Sequence, residues 1–199
     1  MSKKVMLWGF IGFTLLVVAF IAYAVLTHEE PGLKNPEAAY PKEMFPLSVS
    51  GESYTAEGNI SLTRNHKSAL ESAVKSLNVR LGFNVVKLVK SSGKMADWRV
   101  TIGVPQDDSW EGAGAHYVLS GDSRTKEWSS CTIQTSNTGT NTLLYLTLYH
   151  EFGHCLVLDH DEQSAVSIMR PVQVETPAGV FPPWITDSDK KLLRGLYAP

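Results

Sequence analysis

The sequence predicts an α+β fold: a mixed, twisted sheet packed on two helices, set behind an apolar N-terminal helix. Three observations carry this. Short runs of strand-forming residues, several rich in valine, lie between turn residues from Leu47 to Thr135. Apolar residues recur at helical spacing over Asn65–Leu81, and Thr142–Val157 is a second long apolar segment. Thr186-Asp187-Ser188-Asp189 has the form of a capping box opening a last helix to about Leu196. Strands with one helix, followed by two further helices, match an α+β plan.

At 199 residues the chain has room for one domain and a targeting segment. Val5–Leu26 is uncharged and largely apolar, long enough at about 1.5 Å per residue to cross a ~30 Å hydrocarbon core. Lys3 and Lys4 precede it, while His28, Glu29 and Glu30 follow. The positive-inside bias therefore predicts residues 1–4 in the cytoplasm, 5–26 as a single-pass transmembrane anchor, and the remainder extracytoplasmic, in the periplasm or at the cell exterior. The alternative is a cleaved signal ending at Ala22-Tyr23-Ala24, which would leave a secreted domain; its apolar core would exceed the usual length of roughly 7–15 residues. Residues 27–46, punctuated by Pro31, Gly32, Pro36, Pro41 and Pro46, read as an extended linker, leaving 47–199 as the domain. A net charge of −2 gives no reason to expect nucleic acid as a partner.

Within the domain, Leu47–Ser50 and Asn59–Leu62 are short candidate strands around a turn. Asn65–Leu81 presents Leu70, Ala73, Val74, Leu77 and Leu81 on one helical face, and Gly82 is its expected C-cap. Phe83–Val89 and Trp98–Val104 read as strands, the second ended by Pro105. Gly112–Ala115 is a loop, His116–Leu119 extended, and Cys131–Thr135 a further strand. Thr142–Val157 is an apolar helix with Asn141 or Thr140 as N-cap.

That helix carries the chemistry. His150 and His154 are four residues apart, so both imidazoles project from one helix face, and His160 follows six residues later. Three neutral imidazoles around one Zn2+ leave a fourth position for water, the arrangement of a catalytic rather than a structural zinc site. Glu151, beside the first histidine, is placed to take the proton of that water. The pattern predicts a zinc-dependent hydrolase, most readily a peptidase with a protein or peptide substrate.

The run HEFGHCLVLDHD resembles the zinc-binding helix of the metzincin peptidases and, within them, the matrixins. Ser167-Ile168-Met169-Arg170-Pro171 resembles their Met-turn, in which a methionine lies beneath the metal. The resemblance spans roughly residues 45–199 and is strongest over 140–171. It implies a metzincin-like sheet packed on the zinc helix and the C-terminal helix, zinc held by His150, His154 and His160, and Glu151 as general base. It also implies that Cys131–Thr135 is an edge strand pairing with substrate, and that Val172–Ile185 lines a side-chain pocket. Matrixins often hold their zinc latent with a pro-segment cysteine; no cysteine precedes Cys131, so that latency is not expected.

The chain departs from the family at Val157, where a glycine reverses the chain after the second ligand. A β-branched residue at positive φ costs on the order of 1–3 kcal/mol, so either the turn takes other dihedrals or the strain is borne. If the turn slipped by one residue, Asp161 would replace His160 as ligand; Glu162 and Glu175 are the third ligands another zinc lineage would use. A membrane-tethered binding or scaffold protein with an eroded site is the reading from a different class, and Val157 is its support.

His116 resembles one ligand of the matrixins' second, structural zinc, but Gln134 and Gln106-Asp107-Asp108 stand where companion ligands would be, so one catalytic zinc is expected. Asp107, Asp108, Glu111 and Asp122 have the oxygens that Ca2+ takes, yet isolated loop acids are ordinarily just solvated, and calcium is unsupported. Cys131 and Cys155, the only cysteines, form either a bridge between strand and helix or two buried thiols.

Overall fold

The computed structural model describes residues 39–90, 96–105, 115–122, 124–125, 127–136, 140–161, 167–170 and 185–199. The chain divides into two units, Met1–Lys34 and Asn35–Pro199, and the second holds every described element. The anchor expected over 5–26 lies outside the described residues; among the described residues no helix is long and apolar enough to cross a membrane.

The described elements run β1 (Leu47–Thr55), β2 (Gly58–Ser61), α1 (Arg64–Leu81), β3 (Val86–Leu88), β4 (Trp98–Ile102), β5 (Ala115–Asp122), β6 (Glu127–Thr135), α2 (Asn141–Cys155) and α3 (Asp187–Tyr197). They form an α+β domain with one mixed six-stranded sheet in the order β2-β1-β4-β6-β5, with β3 also on β1. β1, β4 and β6 are mutually parallel, while β2 and β5 run antiparallel to their neighbours. β1 is long enough for three partners: Leu47–Val49 pairs β3, Val49–Ser53 pairs β4 and Glu52–Thr55 pairs β2.

Local signals explain the helices. Thr63 caps α1 by accepting a hydrogen bond from the His66 N–H, and Gly82 closes it at φ 83°, a left-handed conformation that glycine adopts without steric cost. Ala69, Leu70, Ala73, Val74, Leu77 and Leu81 form the buried face. α2 is capped by Thr140 and buried on nearly every side from Leu144 to Cys155, as befits a helix with few polar positions. At α3 the expected capping box is complete: Thr186 Oγ1 accepts from the Asp189 N–H, and the Asp189 carboxylate accepts from the Thr186 N–H.

Three expectations change. β6 lies between β4 and β5, so Cys131–Thr135 is not an edge strand; β5 is the terminal strand of the sheet. Glu127, Ser129 and Ser130 hid the first half of β6, and a turn at 124–125 precedes its pairing with β5. The two helices that cover the sheet are α1 and α2, whereas α3 packs on α1. The linker also ends sooner than residue 46: Ala39 bridges to Glu127, and Tyr40 is buried with its hydroxyl accepting from Trp98 Nε1 at 3.1 Å. Phe45 packs against Tyr197 of α3, ring centroids 4.8 Å apart and planes tilted by 37°. Two aromatic anchors set among prolines outweigh the tether-like composition there.

Cys131 and Cys155 form a disulfide, with Cα atoms 5.8 Å apart, that joins β6 to the last residue of α2. The core spreads from it through Trp98, fully buried, whose ring centroid lies 5.3 Å from that of Phe152 on α2.

Candidate metal centre

α2 delivers His150 and His154 one turn apart at its C-terminal end, with their Nε2 atoms 3.1 Å from each other. His160 completes the group, its Nε2 3.2 Å from that of His154. All three ligand atoms lie within 4.8 Å of one another, and among the described residues no other cluster of three metal-capable side chains occurs.

The turn that brings His160 back is built on Val157. Its φ is 70°, the only positive φ at a non-glycine position among the described residues. The Leu158 N–H donates to the Gly153 carbonyl at 3.0 Å and the Val157 N–H to the His154 carbonyl at 2.8 Å. Those bonds are the pair that closes a Schellman turn, with Val157 in the place glycine usually takes. The turn therefore keeps the glycine conformation and bears the strain. Leu156 and Leu158, both buried, flank it and hold it in place. His160 remains the third member of the cluster, and Asp161, the substitute, instead donates its backbone N–H to the Met169 carbonyl at 2.9 Å.

A second turn, Ser167–Arg170, passes beneath. His150 Nδ1–H donates to the Ile168 carbonyl at 2.6 Å, and His154 Nδ1–H to the Leu158 carbonyl at 2.7 Å. A carbonyl oxygen can only accept, so both imidazoles carry their proton on Nδ1 and turn an Nε2 lone pair toward the centre of the cluster. Two lone pairs facing at 3.1 Å repel each other in the absence of a cation. Nitrogens bound at about 2.0–2.1 Å to a tetrahedral zinc stand about 3.3 Å apart, within a few tenths of an ångström of the observed spacing. The donor set fits that ion.

Met169, fully buried, packs its Sδ against the α2 backbone at Gly153, where a Cβ would overlap the sulfur. Glycine at that position lets the turn approach the helix closely enough for Ile168 to reach His150.

Electrostatics prepare the same groups. Burial lowers His150 to about 4, assisted by nearby His160 and opposed by the Ile168 carbonyl. Burial and then the neighbouring His150 lower His154 to about 3. Both rings are neutral near pH 7, the form that binds a metal. Glu151 is only 5 % exposed, its Oε2 makes no hydrogen bond among the described residues, and burial pushes its carboxyl up to about 8. Across the cluster, Tyr117 of β5 stacks on His154, centroids 4.6 Å apart and planes at 13°. Burial, and the nearby charges of Asp159 and Glu151, push its phenol above the ordinary value, so it stays neutral.

The other candidates are not drawn in. His116 lies on β5 opposite Gln134 and joins no cluster of metal-capable side chains among the described residues. Asp122 accepts from the Arg124 backbone N–H at 2.8 Å. Asp107, Asp108, Glu111, Glu162, Glu175 and all but Ile185 of the pocket segment expected over 172–185 lie outside the described residues. Sequence reasoning missed Tyr117 and the Gly153–Met169 contact; each depends on a partner from another element. No protein-family model matches the chain, and no curated protein matches it.

Proposed function

We propose that this domain is a zinc-dependent peptidase of metzincin type, similar to the matrixins, that hydrolyses internal peptide bonds of a protein or peptide. One observation carries the reading. Three histidine Nε2 atoms converge at metal-ligand spacing beside a buried carboxyl whose Oε2 has no hydrogen-bond partner among the described residues. Zinc held by His150, His154 and His160 would leave one coordination position open and would acidify a water and polarise a scissile carbonyl there. Glu151 takes a proton from the attacking water and hands it to the leaving nitrogen. The Ile168 and Leu158 carbonyls anchor the Nδ1 atoms of His150 and His154 and keep each Nε2 turned toward the centre of the cluster.

As the terminal strand of the sheet, β5 offers its outer edge for an extended peptide to add as a further strand, with Tyr117 and Val118 exposed there. The apolar segment 5–26 would hold the domain at the extracytoplasmic face of a membrane. The scaffold reading rests on Val157; a Val157 in the glycine conformation with His160 in the cluster favours the peptidase reading over it.

The test is cleavage of an unstructured protein by the full-length chain with zinc added, beside the Glu151→Gln variant. The parent should cleave, and the variant should bind zinc equally while losing about 10²–10⁴-fold in kcat. Cleavage by Glu151→Gln at the parental rate would sink the mechanism.

A further inference from the structure

We infer that Tyr117 is a positioning residue of the metal centre: stacked on His154 from the edge strand, its ring holds that ligand's plane and raises the affinity for the metal. The inference rests on the reading of the three histidines as metal ligands.

All three candidate ligands come from one stretch, 150–160, and the turn through Val157 links them. Within that stretch His154 is tied at one atom, Nδ1, to the Leu158 carbonyl. A single hydrogen bond in the ring plane leaves the imidazole free to tilt about the axis through that atom. The neighbouring ligands meet it edge-on, at 88° for His150 and 70° for His160, and so do not cover its face. Tyr117 does, at 4.6 Å with planes 13° apart, inside the range of stacked aromatic pairs.

The support comes from elsewhere in the fold. Tyr117 stands opposite Ile133 in the β5–β6 ladder, so its side chain is on the sheet face that looks toward α2. β6 is in turn bonded to α2 through Cys131–Cys155, and Cys155 directly follows His154. The backbone beneath His154 and the ring above it are thus referred to the same two strands. The chemistry favours the loaded form. A metal draws electron density from the imidazole, and the electron-rich face of a phenol stabilises an electron-poor ring better than a neutral one. Tyr117 is 36 % exposed, too open to be a main support of the core, so its removal should be felt at the metal before the fold.

The experiment uses the full-length chain and its Tyr117→Ala and Tyr117→Phe variants. Zinc affinity is measured by chelator competition, the visible absorption of the cobalt-substituted protein reports ligand geometry, and melting of the metal-free protein reports the fold. The expected result is about tenfold weaker zinc binding and an altered cobalt spectrum for Tyr117→Ala, with metal-free melting within a few degrees of the parent. Tyr117→Phe should match the parent in all three. Parental affinity and spectrum in Tyr117→Ala would overturn the inference, as would a Tyr117→Phe loss equal to that of alanine, which would transfer the effect to the hydroxyl. Should Tyr117→Ala not fold, Tyr117→Leu fills the space without a planar face, and parental zinc affinity there overturns the inference equally. A parent that binds no zinc refutes the metal reading itself, a result distinct from a parent that binds and an alanine variant that matches it.

Discussion

Val157 shows how much a single backbone angle costs and what it secures. At φ 70° its Cβ crowds its own backbone, a strain on the order of 1–3 kcal/mol, while the Schellman bonds at Leu158 and Val157 require that angle. The strain persists because those bonds also put the Leu158 carbonyl where His154 Nδ1–H donates to it. Val157→Gly should relieve the strain and keep the turn, at an entropic cost of about 0.5–1 kcal/mol for the freer unfolded chain. The expected net effect is a gain of about 1 kcal/mol, read as a melting temperature higher by roughly 2–4 °C in a domain of this size. Zinc affinity should be unchanged. A lower melting temperature in Val157→Gly would mean that the valine side chain contributes more by packing than it costs in strain.

At the scale of elements, the bond between β6 and α2 fixes the helix end from which two of the three histidines project. Closing a loop between residues 24 apart in sequence stabilises the fold by about 3 kcal/mol in the chain-entropy account. The Cys131→Ala, Cys155→Ala double variant should lose about that much in denaturant unfolding and should bind zinc more weakly, since Cys155 adjoins His154. Unchanged unfolding would show that packing around Trp98 and Phe152 already fixes this join. Elements differ in how far the sequence discloses them. Gly82, Thr140 and the Thr186–Asp189 box are local signals, and each helix end they mark is found in place. His150, His154 and His160 were legible for the same reason: their spacing is contained in one turn of helix and one turn of chain. Strand neighbours are not local. Nothing in Cys131–Thr135 says that Ala115–Asp122 will lie outside it, and Glu127, Ser129 and Ser130 conceal that β6 begins early enough to pair β5 down to Asp122. Tyr40 and Phe45 are similarly opaque among prolines, because what holds them, Trp98 and Tyr197, lies far along the chain.

For the whole molecule, the buried charges set how metal-free stability varies with pH. His150 and His154 fall from 6.5 to about 4 and about 3 on folding, so below pH 6.5 the unfolded chain binds more protons than the folded one. Their contribution is complete above pH 6.5 and is lost as the pH falls toward 4; His66, also lowered by burial, acts in the same direction. Glu151 works oppositely. Raised from 4.5 to about 8, it contributes stability that is complete below pH 4.5 and is lost as the pH rises through 8. Between 4.5 and 6.5 the two histidines outweigh the one carboxyl and stability rises with pH; above 6.5 the unfolded histidines finish losing their protons, the Glu151 loss comes to outweigh them, and stability falls. The metal-free protein should therefore be most stable near pH 6.5 and lose about 1 kcal/mol by pH 8, as an ionised carboxylate is forced into a buried site. Glu151→Gln has no such proton to lose, so its unfolding free energy should rise slightly, and not fall, from pH 6.5 to 8, as the unfolded histidines finish losing their protons. Urea unfolding of the chelator-treated parent and variant across pH 5–9 measures this directly. The same alkaline decline in both proteins would place the responsible proton elsewhere and would leave Glu151 an ordinary, already ionised carboxylate. A decline in the parent alone would identify, from stability and with no substrate present, a carboxyl that exchanges its proton near neutrality beside the three histidines.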